Sequence, residues 1–333
     1  MRLCSLLVVA SLLMSCMPLP ALETRREAAH PIAESNAPGA DLGSLQIEIP
    51  YVGQGDATLF RLPDGKTLLV DAGPPGAGKE YLLPLLRRLD IRRIDALVIS
   101  HYDLDHLGGV PGLIAGEDGT LGSSDDIEVG LAYDRGGQPW DNSPGYPEYL
   151  TALDAKKIPR HTLSAGESLD LDPNVKITCM AANGTVADKS GEFIKVDLSV
   201  PAYSGKENAA SIALLFEFGD FRYLTAGDLT GGGSLDGFLT PDVETPLGQA
   251  VEAVDVVHVN HHGSLSSSNE RFIAATHPKA VVVQAGRDNP YHHPVPEVLE
   301  RWQKVGAEVY STVEKRGYQI SSEGKVSSIT PLN

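Results

Sequence analysis

The stretch that decides the reading is Ser100-His101-Tyr102-Asp103-Leu104-Asp105-His106-Leu107-Gly108-Gly109. It carries His101, Asp103, Asp105 and His106, all able to bind a metal, and it directly follows the wholly apolar run Ala96-Leu97-Val98-Ile99. A short apolar run of that kind reads as a strand buried on both faces. Extended backbone alternates sides, so His101 and Asp103 face one way together. Asp105 and His106 then fall where the chain turns into a helix. A single His or Asp at a strand end does no more than cap a helix. Four of them at this spacing specify a cluster that can serve two cations with different ligand subsets.

Two later segments have the same design. Leu224-Thr225-Ala226-Gly227-Asp228 places an acid after a hairpin strand, and Val259-Asn260-His261-His262-Gly263-Ser264 places a His pair after another apolar strand. Each donor stands at the C-terminal end of a strand, the rim where sites gather in layered α/β folds.

Around these segments, strand patterns at 45–49, 57–62 and 67–70 are followed by helical spacing over 80–89. A hairpin reads at 212–218 and 221–225, with buried strands at 254–259, 280–284 and 308–311 and helices at 270–275 and 295–305. Residues 116–149 are rich in Gly, Asp, Ser and Pro and read as a long loop, a lid over the site, with Trp140 as a lid contact. Trp302 reads as a helix-packing residue. Interleaved strands and helices give one layered α/β domain over 44–333.

These motifs, in order, resemble the metallo-β-lactamase superfamily, and within it the hydrolase domain of ComEC/Rec2 competence proteins. The resemblance runs from about Leu45 to the C-terminus. It rests on Val52-Gly53-Gln54-Gly55-Asp56-Ala57, Leu68 to Gly73, the His101-x-Asp103-x-Asp105-His106 motif, Glu207-Asn208, Leu224 to Asp228, His261 to Ser264 and Asn289-Pro290-Tyr291-His292-His293-Pro294. It implies a four-layered αββα sandwich holding two divalent metal ions, Zn²⁺ or Mn²⁺. His101 and Asp103 would hold one ion, Asp105 and His106 the other, with Asp228 bridging. His261 or His262 would complete the set, and the sequence does not decide which. Asp105 and His293 are the expected catalytic residues, His293 lying over the substrate or donating a proton. His292 replaces that block's usual Gly. Many members bring a further His from mid-chain. The one counterpart here is His161, in a surface-strand pattern and a poor ligand. The site is therefore rich in oxygen ligands, which shifts the choice toward Mn²⁺ without excluding Zn²⁺.

Further residues are singled out near these motifs. Asp71, before Ala72-Gly73, either buttresses a ligand His or forms a turn. Asp56 lines the site floor. Its Gly-Gln-Gly is not a nucleotide loop, since no helix pattern follows. Arg135 pairs a substrate phosphate or is a solvated loop side chain. Asn183 and Asn208 approach from the inserted region. Ser264 is a turn hydroxyl, because a dinuclear site makes its own nucleophile.

Met1-Arg2 and the apolar run to Ser15 read as a signal peptide at 1–15, too short for the roughly 20 residues of a membrane span. Leu13-Met14-Ser15-Cys16 resembles a lipobox, which would lipidate Cys16 and attach the chain to a membrane. The alternatives are cleavage near Ala21 or a retained anchor. Residues 16–43 read as a flexible tether, and no second long apolar stretch follows. Cys179 reads as a buried structural thiol. The chain carries a formal charge of −17, which argues against duplex tracking through a basic face and against sequence-specific nucleic-acid binding.

The resemblance thus implies an exported dinuclear-metal hydrolase of the cell envelope. It would be phosphodiesterase- or nuclease-like, with a metal-bridging hydroxide as nucleophile and a small or single-stranded phosphodiester as substrate. The competing readings are hydrolysis of an ester, lactone or β-lactam, and a metal-bearing envelope lipoprotein that binds without turnover.

Overall fold

The structure, a computed structural model, describes residues 43–332 other than 141, 236 and 326. The expected signal peptide, the lipidation at Cys16 and nearly all of the expected tether lie outside the described residues. Among the described residues no helix is long and apolar enough to cross a membrane.

An antiparallel meander opens the fold: β1 (Leu45–Ile49), β2 (Thr58–Arg61) and β3 (Thr67–Val70). A π turn at Gly78–Leu82 runs into α1 (Leu83–Arg88), and β4 (Arg93–Ile99) returns parallel to β3. The short α2 (Leu104–Leu107) and α3 (Val110–Ile114) lead to β5 (Glu128–Asp134), α4 (Tyr146–Lys156) and β6 (Arg160–Thr162), both strands again parallel. The chain then builds β7 (Val175–Ala182), β8 (Thr185–Ala187), β9 (Phe193–Lys195) and α5 (Lys206–Ala209). The hairpin β10 (Ala213–Phe218) and β11 (Phe221–Thr225) follows, then a small hairpin, β12 (Ser234–Leu235) and β13 (Phe238–Leu239). Next come α6 (Glu244–Val251), β14 (Val256–His258), α7 (Glu270–Thr276), β15 (Ala280–Val283), α8 (Pro296–Lys304) and β16 (Glu308–Ser311). Finally β17 (Gly317–Ser322) pairs with β1, and β18 (Ser327–Leu332) pairs with β17 at the sheet edge.

These strands form two eight-stranded sheets, β18-β17-β1-β2-β3-β4-β5-β6 and β16-β15-β14-β11-β10-β7-β8-β9. Period-two alternation sorts each strand between two layers. In β4, Ala96 and Val98 face the space between the sheets, while Leu97 and Ile99 meet the outer helices. In β10, Leu214, Phe216 and Phe218 point inward and Ala213 and Leu215 outward. The Phe60 and Phe216 rings stack at 4.1 Å and join the two sheets, with the Tyr223 ring set edge-on. Outside the first sheet, Leu85, Val110 and Tyr149 complete one apolar layer. Outside the second, Leu247, Phe272 and the fully buried Trp302 complete the other. The result is four layers, α/β/β/α.

The parallel strands bring their C-terminal ends to one rim: β3 and β4 from one sheet, β11, β14 and β15 from the other. Residues 116–149 are not one long loop. They contain β5 and the start of α4. The strand hid behind Gly130, whose missing side chain lets the Asp95 carbonyl lie where a Cβ would meet it at 2.6 Å.

Candidate metal centre

Asp71 stands just past β3 with φ +58. Its Oδ1 accepts from the Ser100 backbone N–H at 2.7 Å, and its Oδ2 from Ser100 Oγ at 2.7 Å and His106 Nδ1 at 2.8 Å. One carboxylate thus fixes the exit from β4 and the ring that follows it. Gly227 brings the end of β11 onto the same point. Its φ is +51, and a Cβ there would meet Ser100 Oγ at 2.6 Å, so no larger residue fits. After β14, His261 and His262 both take left-handed backbone, φ +49 and +52. Each costs about 1–2 kcal/mol outside glycine, the kind of strain that persists at functional sites.

The hydrogen-bond partners fix the tautomer of each ring. Asp71 accepts from His106, so His106 Nδ1 carries the hydrogen. The Gln284 carbonyl, 2.9 Å from His262 Nδ1, does the same for His262. Ser100 Oγ gives its own hydrogen to Asp71, so it accepts from His101 Nδ1 at 3.0 Å. In its neutral, ligating form each ring is left with a bare Nε2, and all three of these atoms are buried without a hydrogen-bond partner. They converge on Asp228, whose Oδ1 is equally unpartnered. Buried lone pairs facing a buried carboxylate are costly without a cation between them. The donor set therefore fits divalent metal ions.

The two oxygens of Asp228 divide the cluster. On the Oδ1 side, His106 Nε2 is 3.2 Å away and His262 Nε2 3.6 Å away, and His262 Nε2 is 3.2 Å from Asp105 Oδ2. On the Oδ2 side, His101 Nε2 is 3.9 Å away and His261 Nε2 3.5 Å away, and His101 Nε2 is 3.5 Å from the half-exposed Asp103. Donor atoms of His101, His106 and Asp228 lie within 4.8 Å of one another, as do those of Asp105, His106 and His262.

Burial pushes the pKa values of His106 and His262 down, but the carboxylates outweigh it. Asp228 and Asp71 hold His106 well above its ordinary value, and Asp228 and Asp56 do the same for His262. Burial alone would raise Asp105. His262 and His106 bring it instead to about 2, so it stays ionised. Asp228 is held well below the usual carboxylate range against its burial by His262, His106 and His261. Burial, with His261 and His262 nearby, pushes His293 down to about 4. Its ring is therefore neutral at neutral pH. It can donate a hydrogen bond, but it is not the ready proton donor the sequence suggested.

Asp56 is buried beneath the centre, its Oδ1 3.1 Å from His262 Nδ1 and 3.9 Å from His258 Nε2. His293 stands beside the pair, its ring centroid 5.5 Å from that of His261 and 6.4 Å from that of His262. Asn208 Nδ2 reaches His261 Nε2 at 3.0 Å. Ser264 Oγ accepts from Ser266 Oγ at 3.0 Å. His292 is exposed with φ +57, a conformation that explains why glycine is usual there.

Arg135 is the clearest correction. It is neither solvated nor open to a phosphate. Its guanidinium is buried, paired with Glu207 through 2.9 and 2.6 Å hydrogen bonds and stacked on the Tyr102 ring at 4.2 Å. Asn183 bonds this arginine rather than the metal cluster. His161 lies exposed in β6, paired with Glu167 at 2.5 Å. Glu207, legible in the sequence only through the Glu207-Asn208 motif, also accepts through its carboxylate from the backbone of Tyr102 and of Trp140. His258 was missed outright. Its only sequence signal was a polar residue at the end of an apolar strand. Ser100, Ser266 and Gln284 act on the histidines through space, and no spacing rule reveals them.

The model of the metallo-beta-lactamase superfamily matches residues 50–177, the segment that includes the His101–His106 motif. Over that segment the chain matches the metallo-beta-lactamase superfamily, and beyond it the chain is similar to competence proteins. ComE operon protein 3 of Bacillus subtilis is 24% identical over 86% of the chain and 34% of its own length. Recombination protein 2 of Haemophilus influenzae is 24% identical over 80% of the chain and 27% of its own length. The chain thus spans about a third of the length of these curated relatives. Among solved structures, the metallo-beta-lactamase fold protein YhfI from Bacillus subtilis is similar at a TM-score of 0.48 and 14% identity, over 82% of this chain and 99% of that one. The two sheets with outer helices form the sandwich of this superfamily.

Proposed function

We propose that the protein is an exported, dinuclear-metal-dependent hydrolase of phosphodiesters, acting on a small or single-stranded substrate. The observation that carries this reading is the convergence of the unpartnered, buried Nε2 atoms of His101, His106 and His262 on the two oxygens of Asp228. When bound, two cations of a centre like this supply Lewis acidity and a nucleophile at neutral pH. The chain's own residues do the rest. Asp228 lies between the two ligand sets, and Asp71 and Gln284 hold His106 and His262 in the ligating tautomer. Ionised Asp105 keeps local negative charge to balance a cation. The neutral His293 ring is placed to donate a hydrogen bond to a substrate oxygen.

Similarity to competence proteins supports a phosphodiester over a carboxylic ester or lactam. Arg135 is committed to Glu207, so phosphate recognition falls to the metal centre rather than to that guanidinium. The chain's −17 charge favours a short substrate over a long polyanion.

Incubation with a bis-aryl phosphodiester and with single-stranded DNA, with Mn²⁺ or Zn²⁺, tests the reading. The wild type is expected to cleave at least one of them in a metal-dependent way, and Asp228→Ala to lose at least about 100-fold in rate. Equal rates for the two proteins, or ring opening of lactones or β-lactams with no phosphodiester cleavage, would overturn it.

A further inference from the structure

The family resemblance implies one ligand from the tandem pair His261-His262, and the geometry points to two. We propose that the histidines serve different ions: His262 acts with Asp105 and His106 at Asp228 Oδ1, and His261 acts with His101 and Asp103 at Asp228 Oδ2. The inference rests on the reading that the centre binds two metals.

Three independent observations support it. The first is position. His261 Nε2 is 3.5 Å from Oδ2, while His262 Nε2 is 3.6 Å from Oδ1. Neighbours in sequence thus reach opposite oxygens of one carboxylate. Ordinary helical or extended backbone does not aim adjacent side chains this way. Two successive left-handed residues do, and the strain is held by His261 N–H donating to the Gly227 carbonyl at 3.1 Å and Ser264 N–H donating to the His261 carbonyl at 2.8 Å.

The second is the tautomer. Ser266 Oγ gives its hydrogen to Ser264 Oγ at 3.0 Å, so at 2.6 Å from His261 Nδ1 it must accept. His261 therefore carries its hydrogen on Nδ1 and a lone pair on Nε2, as the other three rings do. Asn208 Nδ2, 3.0 Å from that Nε2, now donates to this lone pair. It would have to release the ring for an ion to bind.

The third is ligand number. Without His261 the Oδ2 side has one imidazole and two carboxylates, one of them half-exposed. His161, paired with Glu167 out on the sheet edge, does not supply another, and His261 is the second imidazole within reach of Oδ2.

The test is the metal content of purified full-length protein after Mn²⁺ or Zn²⁺ loading, by elemental analysis and calorimetry. Wild type should hold two ions per chain and His261→Ala one. Asp105→Ala should lose the other ion, and the double variant should hold none. Manganese-loaded wild type should give an exchange-coupled electron paramagnetic resonance spectrum, and His261→Ala an isolated six-line spectrum. Ser266→Ala keeps the ring and removes its acceptor, and should weaken the same ion about tenfold. This second variant keeps the test open if His261→Ala folds poorly. Two tightly held ions in His261→Ala, or one remaining in the double variant, would overturn the inference alone. Fewer than two ions in wild type would overturn the dinuclear reading beneath it.

Discussion

Asp71 shows how much one side chain can organise. Its carboxylate satisfies the backbone N–H and the hydroxyl of Ser100, orients His106 directly, and through Ser100 Oγ orients His101. Substituting Asp71→Asn replaces one acceptor oxygen with a donor, which sets it either against the Ser100 backbone N–H or against both Ser100 Oγ–H and His106 Nδ1–H. Affinity for the ions held by His101 and His106 should fall by about 10–100-fold while the fold is retained, as calorimetric titration would show. The motif ligands were legible because their chemistry is written in residue type and spacing. The residues that turn them into a site were not. Ser100, Ser266 and the Gln284 carbonyl are ordinary in sequence, and they matter only because three strand ends meet.

At the scale of elements, the His-bearing turn after β14 depends on α6. Glu244 is fully buried and accepts from Asn260 Nδ2 at 2.7 Å, Ser268 N at 2.7 Å and Asn269 N at 2.8 Å. Burial pushes its pKa up to about 7 despite those donors. Glu244→Ala would leave two buried donors and one half-buried donor unmet beside the strained His pair. It should cost roughly 3 kcal/mol or more in urea unfolding, with Glu244→Gln costing less because one acceptor oxygen remains. Strands with clean apolar runs, such as β4, β14 and β15, were legible in advance, as was the hairpin turning at Gly219-Asp220. β5, α6, β17 and β18 were not. β5 is interrupted by Gly130, α6 carries Pro246 and Gly248 within its span, and β17 and β18 are polar strands, β17 pairing with β1 across almost the whole described chain and β18 with β17.

The whole molecule should respond to pH in opposite senses with and without metal. In the metal-free protein, burial lowers the pKa values of His106 and His262, and the surrounding carboxylates more than reverse the effect. Folded values above the unfolded value of about 6.5 mean that this stabilisation is fully present below pH 6.5. It is lost as pH rises through the folded values. Metal ligation requires the same rings deprotonated, so ion binding strengthens as pH rises. Thermal unfolding between pH 6 and 9 should therefore show a gap between loaded and chelator-treated protein that widens with pH. Parallel profiles would contradict this.

The layout of the rim has a mechanical consequence as well. His101 to His106 leave the first sheet, whereas Asp228, His261 and His262 leave the second, roughly 120 to 160 residues later along the chain. Ions held between them act as cross-links over long loops, the arrangement in which closure restricts an unfolded chain most. The centre proposed to perform the chemistry would then also be the clasp that keeps the two sheets from parting.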